Sequence, residues 1–179
     1  MITKTQKVCI ANSSYKTSVF RRVCNELDCS YNWIKGLDLT QMPGLIELNC
    51  SYTDVTHLDL SGVPLLYGLR CADTYLEELD ISLLNLKYLD CTGISPQSFM
   101  CDKGSLELAT SAGGIVQLTG YDVGRQIMGL TVVPDAGYYL TEWAGIPQET
   151  QQTSEGIKFY LDGDFIVEAL LEQSGNIHV

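Results

Sequence analysis

From residue 25 to about residue 94 the chain repeats one arrangement of apolar and polar positions every 20 or 21 residues. Leu27, Leu48, Leu69 and Leu89 each stand two positions before a cysteine, and those cysteines, Cys29, Cys50, Cys71 and Cys91, are 21, 21 and 20 residues apart. Ile34, Val55 and Leu76 follow five positions after the cysteine. Leu37, Leu58 and Leu79 come next, then Leu39, Leu60 and Ile81 two positions further on. Asp38, Asp59 and Asp80 separate those last two columns, and Thr40, Ser61 and Ser82 close each unit. The unit reads approximately L-x-C-x-x-[NT]-x-[ILV]-x-x-L-D-[LI]-[ST], and Pro43 and Pro64 mark the return turn of the first two. A fixed period with this spacing predicts stacked turns, each carrying one short strand that pairs in parallel with the next at about 4.8 Å. In the segment 46–52 the alternation of period two predicts Leu48 and Cys50 inward and Glu47, Asn49 and Ser51 outward. Three full units and a partial fourth give a stack of roughly 15–20 Å, close to the minimum for stability, so both ends need covering. Residues 1–24 are expected to cap one end and the C-terminal region the other.

After residue 103 the pattern changes to alternating, β-branched and aromatic segments separated by Gly, Pro and Asp turns. Strands are predicted near 105–109, 114–119, 126–133, 138–143, 157–161 and 164–171, with the polar stretch "IPQETQQTSEG" as a surface loop. Charge shifts at the same place. Residues 1–103 carry nine basic and twelve acidic side chains, whereas 104–179 carry two and ten. The fold class expected is mainly β: a cap over 1–24, a solenoid over 25–103 and a second β domain over 104–179.

These motifs carry two resemblances. The repeat over 25–94 resembles the short leucine-rich repeats of bacterial surface proteins of the internalin kind. It departs at the position of the buried Asn ladder, where Asn32 is followed by Thr53 and Thr74. A hydroxyl serves part of that ladder with fewer hydrogen bonds. The stretch from Gly113 to Gly145, with "GIKFYLDGDFIVEALLE" after it, resembles the internalin-B-type repeat, a small β-grasp-like domain. The matching positions are Gly114, Val116, Gly124, Pro134, Gly137, Tyr138, Trp143, Phe159, Gly163, Val167 and Ala169. The resemblance implies Trp143 and Phe159 as a small core and gives no residue a catalytic role.

Seven cysteines (Cys9, Cys24 and Cys101 besides the four in the repeat) cannot all pair within one chain, and no C-x-x-C is present. At a recurring core position a thiol acts as a small hydrophobe. Buried thiols are the expectation, with disulfides or a metal as the alternatives. The Asp38, Asp59 and Asp80 column reads either as side chains that accept their own turn's N–H groups or as a cation column. The second reading lacks the closed oxygen cage that calcium needs. With only His57 and His178, and no G-x-S-x-G, H-E-x-x-H, P-loop or G-x-G-x-x-G, no enzyme, cofactor or metal is expected. His57 is expected on the surface near Asp59 and Asp38. Asp162-Gly163-Asp164 reads as a hairpin turn.

A net charge of −11 and a pI of about 4.4 argue against a nucleic-acid surface. No run approaches the roughly 18 apolar residues of a membrane span. The exposed lattice supplies the candidate binding residues: Tyr31, Trp33, Asn49, Tyr52, Arg70, Tyr75 and Tyr88. Aromatic residues on a rigid solvent face suit a binding surface. The alternative is that they cover sheet edges and pack against the caps.

The function expected is non-enzymatic attachment or protein–protein interaction, with a surface protein, a glycan or neighbouring virion proteins as partners. Both resemblances point to exterior display, yet residues 1–25 hold five basic side chains, no acid and no apolar signal core. A bacteriophage virion protein meets both conditions and is slightly favoured. A bacterial cell-envelope adhesin and a cytoplasmic docking scaffold are the alternatives.

Overall fold

A computed structural model describes Lys7–Cys9 and residues 24–153 and 156–174, and every regular element in them is a strand. Strands β2 (Glu26–Asp28), β3 (Glu47–Asn49), β4 (Gly68–Arg70) and β6 (Tyr88–Asp90) pair in parallel, with Leu27, Leu48, Leu69 and Leu89 side by side. Strand β1 (Lys7–Cys9) adds a further parallel strand outside β2. The rest of the expected cap, 1–6 and 10–23, lies outside the described residues. A second column is formed by β5 (Glu78–Asp80) and β7 (Ser98–Cys101), again parallel. The chain is thus a parallel-strand solenoid of about four turns, and Phe99 and Cys101 complete the fourth, which begins at Leu89.

The pairing does not stop where the strands stop. Cys29 donates its N–H to the Asn49 carbonyl at 2.8 Å, and Tyr31 donates to Ser51 at 3.0 Å. One turn later Cys50 and Tyr52 donate to Arg70 and Ala72, and after them Cys71 and Asp73 donate to Asp90 and Thr92. Between each pair of donors the backbone kinks, so the residue two after the cysteine is left-handed: Tyr31 at φ 56°, Tyr52 at 58°, Asp73 at 51° and Gly93 at 79°.

Inside, Cys29, Cys50, Cys71 and Cys91 are fully buried free thiols, and the Sγ of Cys29 and of Cys50 lies 3.3 and 3.5 Å from the next turn's carbonyl. Burial, with the Asp28 carboxylate adding to it, pushes the Cys29 thiol up to about 12. Cys91, beside Asp90, is likewise pushed up to about 12 by burial. In the polar column Asn32 donates to the carbonyls of Cys29 and Ser30, whereas Thr53 and Thr74 each donate once, to Cys50 and Cys71. The fourth turn has Ile94 there, and a neighbouring strand takes the place that the next turn holds for the earlier kinks. Gly93 donates to Leu118, and Leu118 donates back to Ile94, both at 2.9 Å, from strand β9 (Gly114–Asp122).

One outward assignment changes. Ser51 is buried rather than outward, because its hydroxyl accepts the Ala72 N–H of the next turn. Leu37 and Leu58 pack only at the margin of the core, while Leu79 in the same column is fully buried. The acidic column follows the local-turn reading: Asp38, Asp59 and Asp80 accept the N–H of Thr40, Ser61 and Ser82 at 3.0, 2.9 and 2.8 Å. Bonds from the Thr40 and Ser61 hydroxyls and N–H groups hold the Asp38 and Asp59 carboxyls below their ordinary range.

Beyond the solenoid, β8 (Gly104–Thr110), β10 (Ile127–Pro134), β11 (Tyr138–Ala144), β13 (Gly156–Tyr160) and β14 (Phe165–Gln173) occupy the predicted positions. The polar insertion contains a short exposed strand, β12 (Gln151–Thr153), hydrogen-bonded to β13. One sheet runs β12-β13-β10-β9; the other runs β11-β14-β8-β7-β5 and so crosses residue 103 into the solenoid. The Asp162–Asp164 turn is not a hairpin, since β13 and β14 belong to different sheets. It is a corner docked on β8: Asp164 accepts the N–H and hydroxyl of Ser105, both at 2.9 Å. A Cβ at Gly104 would collide with the Gly163 carbonyl. Phe99 of the last turn packs against Tyr121 of β9 with ring centroids 5.1 Å apart, and a single apolar core extends from Cys24 to Ala169.

Two outcomes are expected. Leu69→Ala, at a fully buried position, should lower stability by about 2–5 kcal/mol in urea unfolding. The thiols of Cys29, Cys50, Cys71 and Cys91, stacked turn on turn as a cysteine ladder, should resist alkylation at neutral pH until the chain is unfolded. Because their folded-state values are raised, their contribution is complete below the ordinary thiol value of about 8.5. It is lost as pH rises from there toward about 12. The urea midpoint should therefore fall progressively above pH 9 or so.

Candidate functional site

The kink after each cysteine carries its side chain out of the turn, and the residue two further on emerges beside it. Turn by turn this gives Tyr31 and Trp33, Tyr52 and Asp54, then Asp73 and Tyr75. The six side chains line one open groove of about 320 Å³. Tyr31 and Tyr52 stack with centroids 4.5 Å apart and planes 11° from parallel, a spacing that the separation of adjacent turns imposes. The Asp73 carboxylate, then the neighbouring Tyr31, raises the Tyr52 phenol above its ordinary value.

Tyr31, Trp33 and Tyr75 are 73%, 78% and 69% exposed, so little of the described structure packs on them. The row ends at Gly93, where a Cβ would collide with the Asp73 carboxylate. Asp73 therefore lies over the backbone of the following turn.

Of the seven residues singled out from sequence, the groove gathers Tyr31, Trp33, Tyr52 and Tyr75. Asn49, Arg70 and Tyr88 instead lie on the strands. The Asn49 side chain accepts the Ser51 N–H at 3.2 Å and so braces its own turn. The Arg70 guanidinium sits 4.7 Å above the Tyr88 ring, with the Glu47 carboxylate 3.7 Å away. Sequence reasoning left Asp54 and Asp73 out of the site, although both share the register of the aromatic rows.

Other concavities offer less chemistry. A cleft of about 540 Å³ between β10, β11, β12 and β13 is lined by Thr131, Thr141, Glu142, Trp143 and Gln152 among others. His57 is exposed, and its acidic neighbour is Glu77 at 3.8 Å rather than Asp59 or Asp38; His178 lies outside the described residues. Among the described residues no three His, Cys, Asp or Glu side chains group as metal ligands would, and no helix is long and apolar enough to cross a membrane.

No family model matches the chain, and no curated protein matches it. Among solved structures it is similar to the functional domain of InlJ from Listeria monocytogenes, described as including a cysteine ladder. Identity is 13% and the TM-score 0.37; the match covers 84% of this chain and 48% of that one, so this chain spans about half its length. At that score the fold assignment rests on the strand pairings themselves.

The geometry of the row makes Gly93→Ala costly. It should lower stability by roughly 1–2 kcal/mol for the left-handed backbone, with more from the Asp73 collision. Adding Asp73→Gly should recover the second part only, as read from paired urea unfolding curves.

Proposed function

We propose that this chain is a non-enzymatic recognition protein whose binding surface is the aromatic groove of the solenoid, and that its partner is a protein. One observation carries this: a stacked, solvent-facing tyrosine pair is held in left-handed backbone. That conformation costs a residue with a Cβ roughly 1–2 kcal/mol, and Gly, Asn or Asp fill it at lower cost. Asp73 and Gly93 do so in the next two turns. Backbone strain of this kind concentrates where a side chain is kept for use, and exposed aromatic side chains at a rigid site are frequent anchors of protein contacts.

The division of labour we assign is that residues 25–103 present the groove and 104–179 seal the open end of the stack. In the lattice Asn49, Arg70 and Tyr88 form a flank of the surface rather than its centre. Display on an exterior surface, of a bacterial cell or of a virion, fits the resemblance of the repeat to bacterial surface proteins. The binding reading itself does not depend on which surface that is.

Selection from a random-peptide library against the immobilised protein tests the reading. Peptides recovered on the parent should bind Tyr31→Ala/Tyr52→Ala at least roughly tenfold more weakly. The melting temperature of the double variant should fall by only about 2–4 °C, since Ala keeps the same Cβ in the left-handed backbone and only the exposed ring stack is lost. Binders indifferent to both substitutions would sink the assignment of the groove.

A further inference from the structure

Resting on that reading, we infer that the groove takes the cationic side chain of an extended, arginine- or lysine-bearing segment of the partner. The lattice already contains the arrangement in finished form one row away. There Arg70 lies over the Tyr88 ring with the Glu47 carboxylate beside it, so cation, ring and acid are all supplied by the chain. The groove repeats the ring and the acid: Tyr31, Trp33, Tyr52 and Tyr75 offer faces, and Asp54 and Asp73 offer carboxylates. None of its lining residues is a Lys or Arg.

Charge and size agree. Ring faces attract guanidinium and ammonium groups, guanidinium the more often. Two carboxylates bordering those faces favour a cation over an anionic ligand. The net charge of −11 draws basic segments from a distance. Three turns about 4.8 Å apart give the groove a length near 10 Å, which matches about three residues of extended chain. The same ring faces would also stack sugars, but a neutral glycan would leave Asp54 and Asp73 without a charged partner.

A capped tri-arginine peptide, with tri-glutamine and tri-glutamate as controls, is the probe. Trp33 is exposed while the other tryptophan, Trp143, is buried, so a change of emission on titration reports the groove. The expected result is saturable binding of tri-arginine alone. It should weaken roughly tenfold in Asp54→Asn/Asp73→Asn and several-fold between about 50 and 300 mM salt. Asn tolerates the left-handed backbone at 73, so this variant should keep the parent's melting temperature. Lack of saturable tri-arginine binding, or binding unchanged in the Asn variant, overturns the inference. If library peptides still need Tyr31 and Tyr52 but carry no basic bias, only the cation is wrong and protein recognition stands. If oligosaccharides change Trp33 emission while both peptide probes and library peptides fail, the protein-binding reading falls as well.

Discussion

A left-handed residue two positions after each ladder cysteine is the constraint on which the solenoid depends. By turning the backbone there, it lets the N–H of the cysteine and the N–H of the kinked residue both reach carbonyls of the next turn in the first three units, and in the fourth it lets Gly93 reach Leu118 of β9. Pairing then continues beyond the three-residue strands, and successive turns are held to one path. Everything repeated follows from this: the leucine and cysteine columns inside, the Asn and Thr column that satisfies the inner carbonyls, and the rows of side chains outside. Without the kink, three-residue strands alone would leave most of each turn's polar backbone to seek water, which a buried turn does not offer.

The last turn shows how such a stack ends. Gly93 has no further turn to receive its N–H as Tyr31, Tyr52 and Asp73 have, and β9 takes that place: Leu118 accepts from Gly93 and donates to Ile94. On the other side β8 pairs with β7, and one sheet passes from the solenoid into the following strands. The chemistry of the end is therefore written into the turn it closes. Gly93 lacks a Cβ where the Asp73 carboxylate occupies the space that earlier turns give to a side chain.

The repeat was legible in the sequence because every turn places the same type of residue at the same register, so Leu27 through Leu89 announce one another. The later strands were legible by alternation. The errors arise where a local signal has a non-local answer. Asp162-Gly163-Asp164 does specify a turn, but nothing in three residues says that the next strand joins another sheet. Ser51 lies on the outward phase of its strand, yet a short hydroxyl turns back to accept a bond from Ala72. Within the site, the aromatic rows were visible as rows. That Asn49 is a brace, and that Asp54 and Asp73 face the same groove as the rings, depends on the kink. Tyrosine does not advertise that kink; among the four residues at this position, only Asp73 and Gly93 are of the types that adopt it at lower cost.

The way the fourth turn is closed bears on how a protein of this kind changes length. A whole unit of 20 or 21 residues inserted among the first turns meets identical neighbours above and below and keeps every column continuous. Insertion after the fourth turn would separate Gly93 and Ile94 from β9 and β7 from β8, breaking the sheet that crosses into the second half. Duplication and loss of turns should therefore have been tolerated toward the N-terminal side, with the fourth turn and the strands after it inherited together as one block. Each added turn would also lengthen the aromatic row by one position, so the reach of the recognition surface would grow in fixed steps while its closed end stayed the same.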